Sequence, residues 1–128
     1  MSTDRTEKAV SDYFAAIRAM DVNSWLATFA EDAVSQDPVG APPMRGHAAL
    51  RQFFEGIAGA FEQVGIFEDH VYVVGNEAAV KWTGRGTGKN GREVTFEGID
   101  IFEVNDDGKI QALRGYWQPA AMMAQLQS

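Results

Sequence analysis

The chain predicts an α+β fold: three N-terminal helices packed on one face of a curved, mainly antiparallel sheet, a cone-shaped arrangement enclosing an apolar pocket. Three observations carry this. Apolar residues recur at three- and four-residue steps through much of the first half and at two-residue steps through the second. Turn segments at Gly75-Asn76, Asn90-Gly91 and Asn105-Asp106-Asp107-Gly108 divide the second half into a meander of strands. The length of 128 residues suits one domain with one core, assigned to residues 1–128, and no repeat or low-complexity stretch interrupts it.

Residues 3–20 place Val10, Tyr13, Phe14 and Ile17 on one helix face. Asp21 and Asn23 punctuate, and Asn23 is expected to cap a short second helix carrying Trp25, Leu26 and Phe29. Residues 33–36 read as a short strand. Residues 37–45 hold three prolines and a glycine and read as a loop. A third helix is expected over 47–61, with Leu50, Phe53, Phe54 and Ile57 on its apolar face. Strands follow at 67–74, 78–88, 93–104 and 110–118. Gly84, Gly86 and Gly88 lie inside one of them, where they read as a bend or bulge. They do not join a strand to a helix, so a phosphate- or dinucleotide-binding loop is not indicated.

Charge narrows the function classes. A formal charge of −7 argues against nucleic acid, whose phosphates demand a basic surface. It argues equally against an anionic membrane surface, and no apolar run approaches spanning length. Without cysteine there is neither a disulfide framework nor a thiolate nucleophile. The first ten residues are polar and lack the apolar core of a signal peptide, so the cytoplasm is the simplest expected compartment. His47 and His70 share no metal-ligand spacing with each other or with a carboxylate. Ser11, Ser24 and Ser35 sit in no nucleophile elbow. Neither a metal nor a cofactor is implied.

Three residues are candidates for chemistry. In the strand over 93–104, Phe96, Asp100, Phe102 and Val104 share one parity, so Asp100 falls on the apolar face. One reading makes it a structural acid paired with an arginine such as Arg114. The other makes it a carboxyl kept neutral by burial and able to donate a hydrogen bond. Asp37 precedes Pro38 and reads either as an ordinary turn residue or as a general base, partly solvated at a pocket rim and ionised at neutral pH. Tyr13 is either an aromatic core residue or a phenol aimed into the pocket. Phe54, Trp82, Phe102 and Trp117 are core residues or the lining of a pocket for a flat apolar ligand, and Val39 beside the base is taken with them; Trp25 reads as core.

Taken together, Ser11-Asp12-Tyr13-Phe14-Ala15-Ala16, Asp37-Pro38-Val39-Gly40 and Ile99-Asp100-Ile101, in this order and spacing, resemble the ketosteroid isomerase family. Phe29-Ala30-Glu31-Asp32-Ala33, Pro42-Pro43-Met44-Arg45-Gly46 and Gly115-Tyr116-Trp117 extend the resemblance over nearly the whole chain. It implies the cone fold shared with nuclear transport factor two and the polyketide cyclases, and usually a homodimer. It implies a small apolar substrate such as a ketosteroid and no cofactor. By position, Asp37 resembles the base that moves a proton between two carbons of a β,γ-unsaturated 3-ketosteroid. Tyr13 and Asp100 resemble the oxyanion hole, in a family known for holding a carboxylic acid neutral so that it donates. The chain departs from familiar members at Phe29 and Phe54, where some relatives carry tyrosines, and at Gln36, where an acidic residue is common.

Two other classes fit the same pattern less fully. A cyclase, hydratase or epoxide hydrolase on this scaffold also uses acids around a cone pocket but does not need this oxyanion pair. A non-catalytic ligand-binding module has little reason to keep an acid between Phe96 and Phe102. Ile99, Ile101 and Leu113 are expected on the outer face of the sheet, where they leave an apolar surface needing cover.

Overall fold

The computed structural model describes residues 2–127. In chain order the elements are α1 (Ser2–Arg18), α2 (Val22–Leu26), β1 (Phe29–Gln36), β2 (Met44–Arg45), α3 (Gly46–Ala58), β3 (Phe61–Val74), β4 (Glu77–Gly88), β5 (Glu93–Val104), β6 (Ile110–Tyr116) and α4 (Pro119–Gln127). The strands form one six-stranded sheet in the order β2-β1-β6-β5-β4-β3. All pairings are antiparallel except the parallel one between β1 and β6. The helices α1, α2 and α3 pack against the inner face, giving the expected α+β cone.

Helix α1 buries Thr6, Ala9, Val10, Tyr13, Phe14, Ala16 and Ile17, a stripe at helical spacing that lies across β3, β4 and β5. Both its ends are fastened. The Thr6 hydroxyl donates to the Gly75 carbonyl at 2.9 Å, in the β3–β4 turn. Arg18 donates to the Ile66 carbonyl at 3.1 Å and pairs with Glu68 at 2.6 Å, both on β3. Tyr13 sits between these two anchors, so its height over the sheet is fixed from both sides.

Several boundaries differ from those expected. Asp21, not Asn23, caps α2: its Oδ1 accepts from Ser24 N at 3.1 Å. The helix ends at Leu26, and Phe29 opens β1 instead, where its buried ring packs on Trp25. Helix α3 stops at Ala58 before Gly59, and Phe61 starts β3. The glycines of β4 mark no bulge in that strand. The register shifts on this side of the sheet fall between Phe61 and Gln63 and between Glu68 and His70, on β3. The glycines instead make room for rings: a Cβ on Gly86 would lie 2.8 Å from the Phe61 ring, and one on Gly84 would run into Phe96. Leu113 pairs with Phe102 and is buried on the inner face, so the outer apolar surface consists of Tyr72, Ile99, Tyr116 and their neighbours instead.

Helix α4 is not among the expected elements, although Pro119 at its first position is a recognisable start signal. It packs on β5. Gln125 holds the backbone of Thr95 twice: Oε1 accepts from Thr95 N at 2.9 Å and Nε2 donates to Thr95 O at 2.8 Å. No helix among the described residues is long and apolar enough to cross a membrane.

Gly98, on β5, is a tight joint between residues of β4 and the end of β6. A Cβ there would stand 2.6 Å from Trp82 Cζ2, 2.7 Å from the Tyr116 carbonyl oxygen and 2.8 Å from Trp117 Cβ. The carbonyl belongs to the paired backbone and cannot swing aside. Gly98→Ala is therefore expected to destabilise the protein by about 1–3 kcal/mol through overpacking, read as a lowered denaturant midpoint at unchanged slope.

Candidate active site

Four elements bring the candidate residues to one cavity between the inner sheet face and helices α1, α2 and α3. Its free volume is about 70 Å³. Buried Tyr13, Trp25, Trp82, Phe96 and Asp100 line it, with half-buried Met20, Phe53, Ile57 and Ile66. The lining is apolar apart from a few convergent polar groups, the composition expected of a small-molecule site.

Asp100 projects inward from the middle of β5, between Val80 on β4 and Gly115 on β6. It is 3% exposed. The arginine proposed as its structural partner is elsewhere: Arg114 pairs with Ile101, on the opposite parity, and is solvent-exposed. Asp100 thus has burial without a counter-ion. Desolvation first, and the nearby Asp37 carboxylate second, push its pKa well above the ordinary carboxylate range.

Asp37 opens the loop that leaves β1. Val39 N donates to the Gly115 carbonyl at 2.7 Å, which ties this loop to β6, and the Asp37–Pro38 peptide is cis. The residue is half-buried, lines the cavity and accepts from Trp117 Nε1 at 2.5 Å. Desolvation raises its pKa from 3.8 to about 6, opposed by the Trp117 hydrogen bond. The two acids meet over Gly115. A Cβ on that glycine would lie 3.0 Å from Asp37 Cγ and 3.1 Å from Asp100 Oδ1. The carboxyls can approach because the strand between them carries no side chain there.

Tyr13 reaches the same place from α1. Its ring packs edge-on against Phe14 at 4.9 Å and Phe102 at 5.0 Å. Burial raises its pKa well above the usual phenol value, with the Asp100 and Asp37 charges adding to the effect, so it stays protonated. Three acids in one apolar cavity therefore differ in character: Asp37 near 6, Asp100 raised well above the ordinary carboxylate range, and Tyr13 raised above the ordinary phenol value. That division suits one proton acceptor and two donors.

Of the expected lining residues, Phe54, Trp82 and Trp117 face the cavity. Phe102 does not: it is fully buried behind Tyr13, which covers it. Val39 also lies elsewhere, 39% exposed in a surface cleft with Tyr116 and Ala121, because the Gly115 bond turns it outward. Trp25, read as plain core, lines the cavity as well. Its place on the short α2, under Tyr13 and Phe54, could not be found from periodicity. His47 donates through Nε2 to the Phe29 carbonyl at 3.1 Å, a structural contact. Among the described residues no cluster of histidines and acids could hold a metal.

Two outcomes follow from this electrostatic arrangement. Trp117→Phe removes the donor that favours ionised Asp37, so the Asp37 pKa is expected to rise above about 6, read by carbon-13 NMR of the labelled carboxyl. The stability effect has a definite sign. The folded value of Asp37 lies above its unfolded 3.8, so the proton-linked stability is full below about pH 4 and is lost as pH rises through about 6. Asp37→Asn is expected to gain on the order of 1–3 kcal/mol over wild type at pH 8 and little at pH 4, measured by urea unfolding.

Comparison with known proteins places this geometry. The SnoaL-like domain model matches residues 10–113. The steroid Delta-isomerase of Nocardioides simplex is 31% identical over 115 residues, covering 90% of this chain and 91% of that protein. The Delta 5-3-ketosteroid isomerase of Mycobacterium sp. superposes with a TM-score of 0.80 at 28% identity, over 92% of this chain and 96% of that one. SalBIII, an epoxide hydrolase/cyclase-like enzyme with a role in pyran ring formation in the polyether salinomycin, superposes with a TM-score of 0.82 at 28% identity, over 92% and 94% of the two chains. These relatives are enzymes built on the same cone. With half the chain and more inside the family model, and a steroid Delta-isomerase aligned over nine-tenths of it, the chain belongs to the ketosteroid isomerase family of SnoaL-like proteins.

Proposed function

We propose that this protein is a cofactor-independent isomerase that moves a carbon–carbon double bond from β,γ to α,β conjugation in a 3-ketosteroid or similar enone. The observation that carries this reading is the cavity's set of three acids, Asp37 near 6 and Asp100 and Tyr13 both raised by burial. Asp37 removes a proton from the carbon between the carbonyl and the double bond. The electron pair moves onto the carbonyl oxygen, giving a dienolate. Tyr13 and protonated Asp100 donate to that oxygen as its charge develops, in a site where water no longer competes. Asp37, now a carboxylic acid, returns the proton to the far end of the double bond. The extended enol is planar, so one carboxyl on one face serves both positions. The proton removed is the proton returned, and the reaction is redox-neutral.

The apolar walls and open mouth suit a flat ring system, whose burial supplies the binding energy. Exposed Tyr72, Ile99 and Tyr116 on the outer sheet face support a homodimer formed through that face. Ile99→Glu is expected to convert the dimer to monomer in sedimentation analysis; an unchanged assembly would exclude this face.

The activity test is an absorbance assay of conjugated enone formation from a β,γ-unsaturated 3-ketosteroid. Asp37→Asn is expected to lose roughly 10²- to 10⁴-fold in kcat/KM, and the wild-type value to fall as pH drops through about 6. No turnover by wild type, or equal turnover by both proteins, sinks the isomerase reading. A second reading draws on the meeting of the two carboxyls over Gly115. Asp37 as base and Asp100 as acid would also serve attack of a hydroxyl on an epoxide, the base taking the nucleophile's proton and the acid protonating the opening ring oxygen. Turnover of a hydroxy-epoxide by a protein inert toward the ketosteroid would select it.

A further inference from the structure

Two polar groups in the cavity have no assigned task. The indole nitrogens of Trp25 and Trp82 are buried and meet no hydrogen-bond acceptor among the described residues. Each residue is 2% exposed and both line the cavity. A buried N–H without an acceptor is uncommon, and two around one site ask for a reason.

Their placement supplies one. The Trp25 ring centroid is 6.0 Å from that of Tyr13, held there by Phe29 at 4.8 Å and Phe54 at 5.0 Å. Trp82 and Asp100 share the inner sheet face, since Trp82 pairs with Gly98 and Val80 with Asp100, which makes them diagonal neighbours. Gly98 leaves the space in which the Trp82 ring lies, and Phe96 and Trp117 hold it at 5.8 and 5.9 Å. We propose that Trp25 and Trp82 are positioning residues of the oxyanion site, each presenting a donor-only N–H to one proton donor: Trp25 to the Tyr13 hydroxyl and Trp82 to the Asp100 carboxyl. The inference rests on the oxyanion-site reading of Tyr13 and Asp100. Neither contact meets hydrogen-bond geometry, yet each indole already lowers the pKa of its neighbour against the larger, opposing effect of burial.

The chemistry explains why an indole suits this task. It donates and cannot accept. Beside a neutral carboxyl it bonds only the oxygen that lacks the proton, so the other oxygen carries the hydrogen that meets the ligand. Beside a phenol it takes a lone pair and leaves the hydroxyl hydrogen free to point forward. When a ligand oxygen gains negative charge and draws these hydrogens toward itself, the Tyr13 and Asp100 oxygens become stronger acceptors. The indole bonds then tighten, as in any polarised hydrogen-bond chain. The same N–H groups do little for a neutral ligand.

That difference is the test. Wild type, Trp25→Phe and Trp82→Phe are titrated with 4-nitrophenolate, an oxyanion of aromatic shape, and with nitrobenzene, its uncharged counterpart. Each variant is expected to bind 4-nitrophenolate about three- to tenfold more weakly while nitrobenzene affinity stays within about twofold. Equal losses for both probes mean a packing role only and overturn the proposal, as does no loss for either. Should a variant fold poorly, nitrogen-15 spectra of wild type decide: 4-nitrophenolate is expected to move the Trp25 and Trp82 indole N–H resonances downfield, and unmoved resonances overturn the proposal. Neither measurement uses turnover. A protein that binds 4-nitrophenolate through both indoles but forms no enone upholds this inference and sinks only the isomerase reading.

Discussion

The candidate site is built around two carboxyl groups held side by side in an apolar cavity. Removing an ionised carboxylate from water costs several kcal/mol, and a second one beside it cannot ionise freely. The protein does not neutralise the pair with a buried cation, because the nearest sequence candidate, Arg114, faces outward. One acid instead has its pKa pushed well up by burial and by its neighbour's charge, and the other receives an indole hydrogen bond from Trp117. Asp100 and Asp37 thereby acquire different characters from one shared environment. The rest of the fold supplies what this arrangement requires: an apolar inner sheet face, a glycine at the meeting point, and a helix anchored at both ends to hold Tyr13 above it.

The sequence carried the fold class and the three acidic positions for a definite reason. Strand parity is a strict rule, so Asp100 among Phe96 and Phe102 could be placed inward without coordinates. Tyr13 lies on a long helix whose apolar stripe is unambiguous. The losses came where local signals are short or degenerate. Phe29 suits a helix face or a strand equally well, and only its pairing with Ile110 across the sheet decides. Trp25 sits on a five-residue helix, too short for a periodicity to define its direction. Leu113 belongs to a strand whose phase is set by β5, so its face could not be read from its own segment. Val39 is turned away by a single backbone bond to Gly115, which no side-chain pattern records.

The same scaffold serves relatives with different chemistries, ketosteroid isomerisation in one and pyran ring formation in another. The arrangement of acids here shows why that is physically reasonable. A carboxyl near 6 beside one raised well above the ordinary range would, in the proposed roles of base and donor, make few demands on the substrate beyond an acidic hydrogen and an oxygen that gains charge. The apolar wall, with Phe53, Phe54, Ile57, Ile66 and the indoles among its lining, is then left to select among substrates. Divergence within such a family can therefore proceed by changing apolar residues while the polar set stays fixed.

The double hold of Gln125 on Thr95 has a consequence away from the cavity. Strand β6 ends at Tyr116, opposite Ile99, so the first residues of β5 run on past the end of their neighbour. There the backbone amide and carbonyl of Thr95 would offer an open template to any extended peptide. The Gln125 side-chain amide, with one donor and one acceptor in the same plane, occupies both groups as one residue of an added strand would. Helix α4 thus acts as a guard on an exposed margin of the sheet, protecting a protein with long strands from unwanted growth by edge-to-edge association.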